Sequence, residues 1–174
     1  MIKLIGLCGY AQSGKSTIAE YLVNTYGYRR IRFADGLKNM LRVIGLTKEQ
    51  IDGNEKEIPL DLLCGRTPRY AMQMLGTEYG RNLIGQDIWV NIWAKEVRES
   101  TCSVVVDDVR FPNEFNKVKE LNGYTVKIIR PGYGPLNNHP SETSLENVHY
   151  DMTVHNDGTK EGLYQYTETL LKYV

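Results

Sequence analysis

Cysteine is scarce in this sequence and badly placed for cross-linking. The 174 residues hold 3 cysteines, Cys8, Cys64 and Cys102. An odd number cannot all pair within one chain, and none stands in a C-x-x-C or Cys/His cluster. Neither a disulfide framework nor a Cys/His metal centre is expected, and a reducing, cytoplasmic setting fits. Cys8 and Cys102 lie in apolar, strand-like runs and read as core residues. Net charge is missing too, since 21 Lys plus Arg offset 21 Asp plus Glu. A general nucleic-acid binder usually carries a basic excess, so no nucleic-acid polymer is expected as a partner. No apolar run approaches the length of a membrane span, and the N-terminus runs straight into a strand without a signal peptide. No membrane partner is expected either. Internal repeats and low-complexity tracts are absent. So are the guanine-reading Asn-Lys-x-Asp of a GTPase switch and the G-x-G-x-x-G turn of a dinucleotide site, which disfavours a dehydrogenase.

What is present is Gly9-Tyr10-Ala11-Gln12-Ser13-Gly14-Lys15-Ser16. It fits G-x-x-x-x-G-K-[ST], the phosphate-cradling P-loop. Gly9 and Gly14 open backbone conformations closed to residues with a Cβ, so successive N–H groups can face phosphate oxygens. Lys15 puts a compact positive charge near the β- and γ-phosphates, and the Ser16 hydroxyl can ligate Mg²⁺. A strand-like run, Ile2 to Cys8, precedes the motif. A helical pattern with Ile18, Leu22 and Tyr26 follows, and its N-terminal dipole favours the same anion. Ala11, Gln12, Ser13 and Thr17 complete the expected ATP-binding backbone.

Further along, Gly27 reads as the C-terminal stop of the first helix. Tyr28–Phe33 alternates as a strand and leads to Asp35 and Lys38, at the strand end that faces the ligand crevice in open α/β sheets. They suit a helix cap and first turn as well as substrate contact. Thr47 and Gln50 have capping-box spacing. Gly53 to Asp61 is polar and reads as a surface excursion. Thr67-Pro68 is a helix start, and that helix carries Arg69, Gln73 and Arg81, with Arg69 and Gln73 on one face. A second helix begins near Asp87. Trp93 and Val97 suit its core side, and Trp89 suits either the core or stacking on a base. Ser103 to Val106 is an apolar strand ending in Asp107 and Asp108. Beside a P-loop, such a carboxylate is the usual second anchor for Mg²⁺. A helix from Pro112 closes at Gly123. Strands at Tyr124–Ile129 and Met152–His155 and a final helix complete an alternating pattern. The expected fold class is α/β: three α/β/α layers around a parallel five-stranded sheet. A single domain spans 1–174, with a helical, acceptor-binding insertion at 47–100 and a Gly/Pro-rich, lid-like loop at 130–142.

A P-loop with an Arg-bearing helical insertion suggests a kinase of a small anionic acceptor. Guanidinium forks suit a phosphate, and Arg69 and Arg81 are the candidates. Gln73 can read a base edge through its paired donor and acceptor. Lys15, Arg110 and Arg130 are the candidate catalytic cations, able to neutralise charge on a transferred phosphoryl group. His139 suits a structural role, because transfer between phosphates needs no imidazole base.

Three blocks also carry a resemblance: Thr67-Pro68-Arg69 through Gln73-Met74-Leu75-Gly76-Thr77-Glu78-Tyr79-Gly80-Arg81 to Asp87-Ile88-Trp89, then Asp108-Val109-Arg110-Phe111-Pro112-Asn113-Glu114, then His139-Pro140-Ser141-Glu142. With the P-loop, their order and spacing resemble the phage-type deoxynucleoside monophosphate kinases across nearly the whole chain. The resemblance implies a P-loop kinase fold and phosphoryl transfer from ATP, with Mg²⁺, to a 2′-deoxynucleoside 5′-monophosphate (dNMP). It also implies a cytoplasmic enzyme, in the host cytoplasm if the chain is of phage origin. By that similarity Asp35, Lys38, Arg69, Gln73, Arg81 and Trp89 line the acceptor site, Asp108 joins Ser16 at the metal, and Asn156 and Gly158 lie near adenine. Oligomeric state stays open between monomer and homodimer. Two other readings share the P-loop: a dephospho-coenzyme A kinase-like enzyme, and a nucleotide-binding module without turnover. Acceptor-dependent ATP consumption separates them.

Overall fold

The computed structural model describes residues 3–134, 144, 145 and 147–174. Strands β1 (Leu4–Cys8), β2 (Arg29–Arg30), β3 (Val104–Val106), β4 (Tyr124–Ile129) and β5 (Met152–His155) form one parallel sheet in the order β2-β3-β1-β4-β5. The expected five-stranded parallel sheet is present. The central strand β1 pairs with β3 from Leu4 opposite Val104, and with β4 from Ile5 opposite Tyr124. It is buried along its whole length, which is why it reads as an unbroken apolar run. β2 is shorter than the expected Tyr28–Phe33. Arg29 and Arg30 pair with β3, and beyond them the Ile31 N–H bonds to the Val105 carbonyl at 3.1 Å.

The chain divides into two compact units, Met1–Arg32 with Glu96–Val174, and Phe33–Lys95. The first holds the sheet. Helices α1 (Lys15–Tyr26) and α7 (Lys160–Leu170) bury Ile18, Ala19, Leu22, Leu163 and Leu170 with Ile5 and Leu7 of β1 and apolar residues of the neighbouring strands. Helix α6 (Pro112–Glu120) covers the other face, so close that a Cβ on Gly6 would lie 3.0 Å from Val118 Cγ1. These are the three expected layers. The end of α6 differs from the reading above. Asn122, not Gly123, takes the left-handed conformation, at φ 57°. Gly123 is there for space, since a Cβ would sit 2.6 Å from Val118 Cγ1. Cys8 is fully buried, and burial pushes its thiol up to about 12. Cys102 is only half-buried, because β3 starts two residues later than the apolar run suggests.

The second unit is helical: α2 (Asp35–Val43), α3 (Lys48–Ile51), 3₁₀ turns at Asn54–Glu57 and Asp61–Leu63, α4 (Pro68–Gln73), a π-helical stretch (Met74–Ile84) and most of α5 (Ile88–Arg98). Thr47 and Gln50 close the expected capping box, and Thr67 Oγ1 caps α4 by accepting from Tyr70 N–H at 3.1 Å. The polar stretch after Gly53 is folded, not a free excursion. A Leu60–Arg66 bridge closes it, and Leu60 and Leu63 pack on Leu41, Leu46 and Ile51. The helix expected to run on past Gln73 instead widens at Met74, and the Gly85 N–H bonds five residues back to Gly80. Trp89 explains the widening. Its indole N–H donates to the Gly76 carbonyl at 2.8 Å, and its ring lies where a Cβ on Gly80 would be, within 2.6 Å. Among the described residues no helix is long and apolar enough to cross a membrane.

Asp151 anchors the entry to β5. Its carboxylate accepts from Thr125 N–H at 2.8 Å, Thr125 Oγ1 at 2.7 Å and Lys119 Nζ at 2.8 Å. Burial works to raise its pKa, but the Lys119 and Thr125 bonds outweigh it and hold the carboxyl below 3.8. A depressed folded pKa adds stability that is present above the unfolded value and lost as pH falls through the folded one. Asp151→Asn is therefore expected to cost about 1–2 kcal/mol near neutral pH. The gap to wild type should close in acid, as read by urea unfolding across a pH series.

Candidate functional site

The loop between β1 and α1 owes its shape to three left-handed residues, Gly9 at φ 140°, Gln12 at φ 61° and Gly14 at φ 111°. Two of them also lack room for a side chain. A Cβ on Gly9 would lie 2.4 Å from the Ile128 carbonyl oxygen, and one on Gly14 would lie 2.7 Å from Asn156 Nδ2. A concave loop of this kind turns backbone N–H groups inward and binds anions. Ser13 is buried beneath it, and its hydroxyl has no hydrogen-bond partner among the described residues. Lys15 folds back over the loop, its Nζ donating to the Gly9 carbonyl at 2.7 Å and the Tyr10 carbonyl at 2.6 Å.

Gln12, Ser13, Gly14, Lys15, Ser16 and Thr17 line one open cavity of about 460 Å³ with Arg130, Asn156 and Gly158. These residues come from three separate stretches of the chain. Arg130 Nη1 donates to the Gln12 carbonyl at 3.0 Å, and its guanidinium lies 4.4 Å from the Tyr133 ring centre. Asn156 Nδ2 donates to the Ser13 carbonyl at 2.8 Å and so ties the loop to the end of β5. Gly9, Ala11 and Arg110 line a smaller, adjoining pocket floored by β4. The Arg110 N–H donates to buried Glu114 at 2.8 Å, which fixes the backbone there. Lys160, in the first turn of α7, lines the larger cavity and was not singled out from the sequence.

The carboxylate that reaches Ser16 is Asp107, not Asp108. Ser16 Oγ donates to Asp107 Oδ2 at 3.1 Å, and Asp107 is buried at 5% exposure while Asp108 is half-buried. One step of strand alternation decides which of the two adjacent acids turns toward the loop. Arg30 completes the cluster: its Nε donates to Asp107 Oδ1 at 2.9 Å and its Nη2 to Oδ2. The sequence reading missed Arg30, seeing only strand alternation. A signal was available, since a carboxylate ending a buried strand needs a cation and β2 supplies one. Ser16 and Asp107 are oxygen donors suited to a small, hard cation. Among the described residues no three His, Cys, Asp or Glu gather to hold a metal unaided. That suits Mg²⁺, which is usually held by one or two protein ligands plus waters and phosphate oxygens.

The residues expected at the acceptor site all belong to the Phe33–Lys95 unit. Asp35 and Lys38 lie in the first turn of α2, and Asp35 follows the cap position instead of filling it. Lys38 Nζ pairs with Asp52 at 2.7 Å, and Arg69 pairs with Glu57. Arg69 and Gln73 share α4 and are exposed, while half-buried Arg81 rides on the π-helical stretch. Trp89 is buried at 4% exposure, with its ring packed on Gly80 and its N–H bonded. It offers no open face for a base and supports the turns that carry Arg81. His139 and most of the expected lid at 130–142 lie outside the described residues.

A family profile described as deoxynucleotide monophosphate kinase matches residues 62–167. A relative from Acanthamoeba polyphaga mimivirus, named for the same kinase, is 37% identical over 92% of this chain and 92% of its own. The deoxynucleotide monophosphate kinase of Enterobacteria phage T4 is 22% identical over 98% of this chain and 99% of its own. Among solved structures, the shikimate kinase of Aquifex aeolicus superposes with a TM-score of 0.54 at 16% identity, over 97% of this chain and 96% of that one. That likeness supports the fold alone. With the P-loop cavity and the Ser16–Asp107 pair in place, the profile match and the mimivirus relative settle the assignment: the chain belongs to the deoxynucleotide monophosphate kinase family.

Proposed function

We propose that this chain transfers the γ-phosphoryl group of ATP to the phosphate of a 2′-deoxynucleoside 5′-monophosphate, giving ADP and the deoxynucleoside diphosphate. The observation that carries the reading is the single cavity in which the phosphate loop, Arg130 and Asn156 meet, in a member of this family. The acceptor's phosphate oxygen is already an anionic nucleophile, so no strong base is required. The work left to the protein is to align two repelling anions and to neutralise the group in transit.

The contacts at the loop support the roles proposed there. Backbone N–H groups from Gly9 to Thr17 hold the triphosphate. Lys15 exchanges the Gly9 and Tyr10 carbonyls for phosphate oxygens, a change from neutral to charged acceptors that strengthens its bonds. Arg130, tethered at Gln12, and Arg110, beside Gly9 and Ala11, add positive charge at the loop. Asn156 and Gly158 border the adenine. Ser16 and Asp107 hold Mg²⁺, which when bound offsets charge on the β- and γ-phosphates. In the other unit, Arg69 and Arg81 grip the acceptor phosphate, Gln73 reads the base edge, and Asp35 and Lys38 contact the nucleotide from α2. We place the reaction in the cytoplasm, the host's if the chain is of phage origin.

ADP formation from Mg-ATP with each common deoxynucleoside and ribonucleoside monophosphate, beside a control without acceptor, tests the reading. Turnover with at least one dNMP and little with ribonucleotides is expected. ATP binding without acceptor-dependent turnover would overturn it. Arg69→Ala should raise the KM for the acceptor about ten- to a hundredfold and leave that for ATP within about threefold. Equal loss for both substrates would remove Arg69 from the acceptor site. Asp107→Asn should lower kcat about a hundredfold or more and raise the Mg²⁺ requirement, whereas Asp108→Asn should cost less than about tenfold. The reverse order would return the metal role to Asp108.

A further inference from the structure

Arg30 is a cation that grips the proposed metal-binding carboxylate. β2 pairs with β3 so that Arg30 stands opposite Val105, two residues before Asp107. The guanidinium engages both carboxylate oxygens, through Nε to Oδ1 at 2.9 Å and Nη2 to Oδ2. Nη2 also reaches Ser16 Oγ at 3.3 Å, and Ser16 itself donates to Oδ2 at 3.1 Å. Arg30 therefore touches both protein ligands proposed for Mg²⁺. Glu20 is the remaining charged neighbour, 4.0 Å from Nη1 and largely exposed.

We propose that Arg30 is the positioning residue of the metal site and makes capture of a divalent cation conditional on nucleotide. The inference rests on the Mg-ATP reading above. Two consequences follow from the contacts. The fork fixes both oxygens of Asp107, so the carboxylate cannot swing away from Ser16. It also cancels the carboxylate's charge. A free cation that approaches Ser16 and Asp107 meets an ion pair of no net charge, with most acceptor positions on the carboxylate already used. Nucleotide phosphates change that balance, because they supply negative charge and further oxygen ligands at the neighbouring loop. The metal then enters with its nucleotide and not ahead of it. A purely structural Arg30, present only to satisfy a buried carboxylate, predicts that its replacement leaves the metal affinity of nucleotide-free protein unchanged or weakened.

The test is Mn²⁺ binding followed by electron paramagnetic resonance, on the intact chain, with no acceptor present. In nucleotide-free protein, Arg30→Gln is expected to bind Mn²⁺ about tenfold or more tighter than wild type, since the bare Asp107 carboxylate becomes a ligand. Affinity equal to or weaker than wild type would overturn the proposal. Circular dichroism reports whether the variant folds. If it does not, Arg30→Met replaces it under the same criterion, and in wild type Mn²⁺ must bind at least about tenfold more weakly to nucleotide-free protein than to protein saturated with ADP. Equal affinity in the two states removes the proposal. Neither arm uses an acceptor, so failure of the acceptor panel and failure here are separate results.

Discussion

A single backbone oxygen constrains the whole site. The carbonyl of Ile128 on β4 stands where a side chain at position 9 would be, so the loop leaving β1 can only pass as glycine. This contact exists because β1 lies beside β4 in the sheet, and the other neighbours contribute in the same way. Asp107 follows directly after β3, on the opposite side of β1, and so brings a carboxylate to Ser16. Asn156 follows directly after β5, beyond β4, and its amide holds the Ser13 carbonyl. Strand order thus decides which residues reach the loop. That is why residues 91 and 143 positions from the loop in sequence complete it.

Charge around the loop is arranged by how easily each partner is given up. Lys15 and Arg130 hold neutral carbonyls of the loop itself. A phosphate competes well against these, because a charged acceptor makes the stronger bond. Arg30 holds a buried carboxylate, which would be left uncompensated if the pair broke, at a cost of several kcal/mol. In the proposed reaction substrate draws on Lys15 and Arg130 and leaves Arg30 where it is. Lys38 and Arg69 in the helical unit hold carboxylates that are more exposed than Asp107. The Arg69–Glu57 pair is exposed, and such pairs are worth about 0–1 kcal/mol, so the proposed acceptor phosphate displaces Glu57 at little cost, whereas the less exposed Lys38–Asp52 pair separates less readily. In this way a chain with no net charge can offer Lys15, Arg130 and Arg69 to the proposed anionic ligands while Arg30 stays with its carboxylate.

How much of this the sequence declared depended on range. The phosphate loop was legible because its glycines, lysine and serine act within eight residues. The strands were legible, β1 and β3 as apolar runs and β2 from alternation, and the caps at Thr47 and Thr67 as local side-chain chemistry. What was not legible hung on distance or on a single step of alternation. The Arg30–Asp107 pair joins residues 77 apart, and no local pattern reveals which strand flanks which. The choice between Asp107 and Asp108 turned on where β3 ends. Trp89 at a helix start fitted packing and base stacking alike. The clue was at Gly80, whose missing side chain leaves room for the indole.

The widened helix turns that last point into function. π-helical turns have poorer hydrogen-bond geometry than α-turns and persist where something else holds them. Here the indole of Trp89 takes the Gly76 carbonyl and fills the place of a side chain at Gly80. Arg69 and Gln73 sit on ordinary α-turns before the change, and Arg81 sits beyond it. An uninterrupted α-helix advances about 100° per residue and would fix Arg81 on a face set by its sequence distance from Arg69. Wider turns advance less per residue, so the stretch from Met74 re-aims Arg81 relative to the other two. The position of a proposed phosphate-gripping arginine is thus set by a buried tryptophan, through the Gly76 carbonyl that it holds and the Gly80 that admits it.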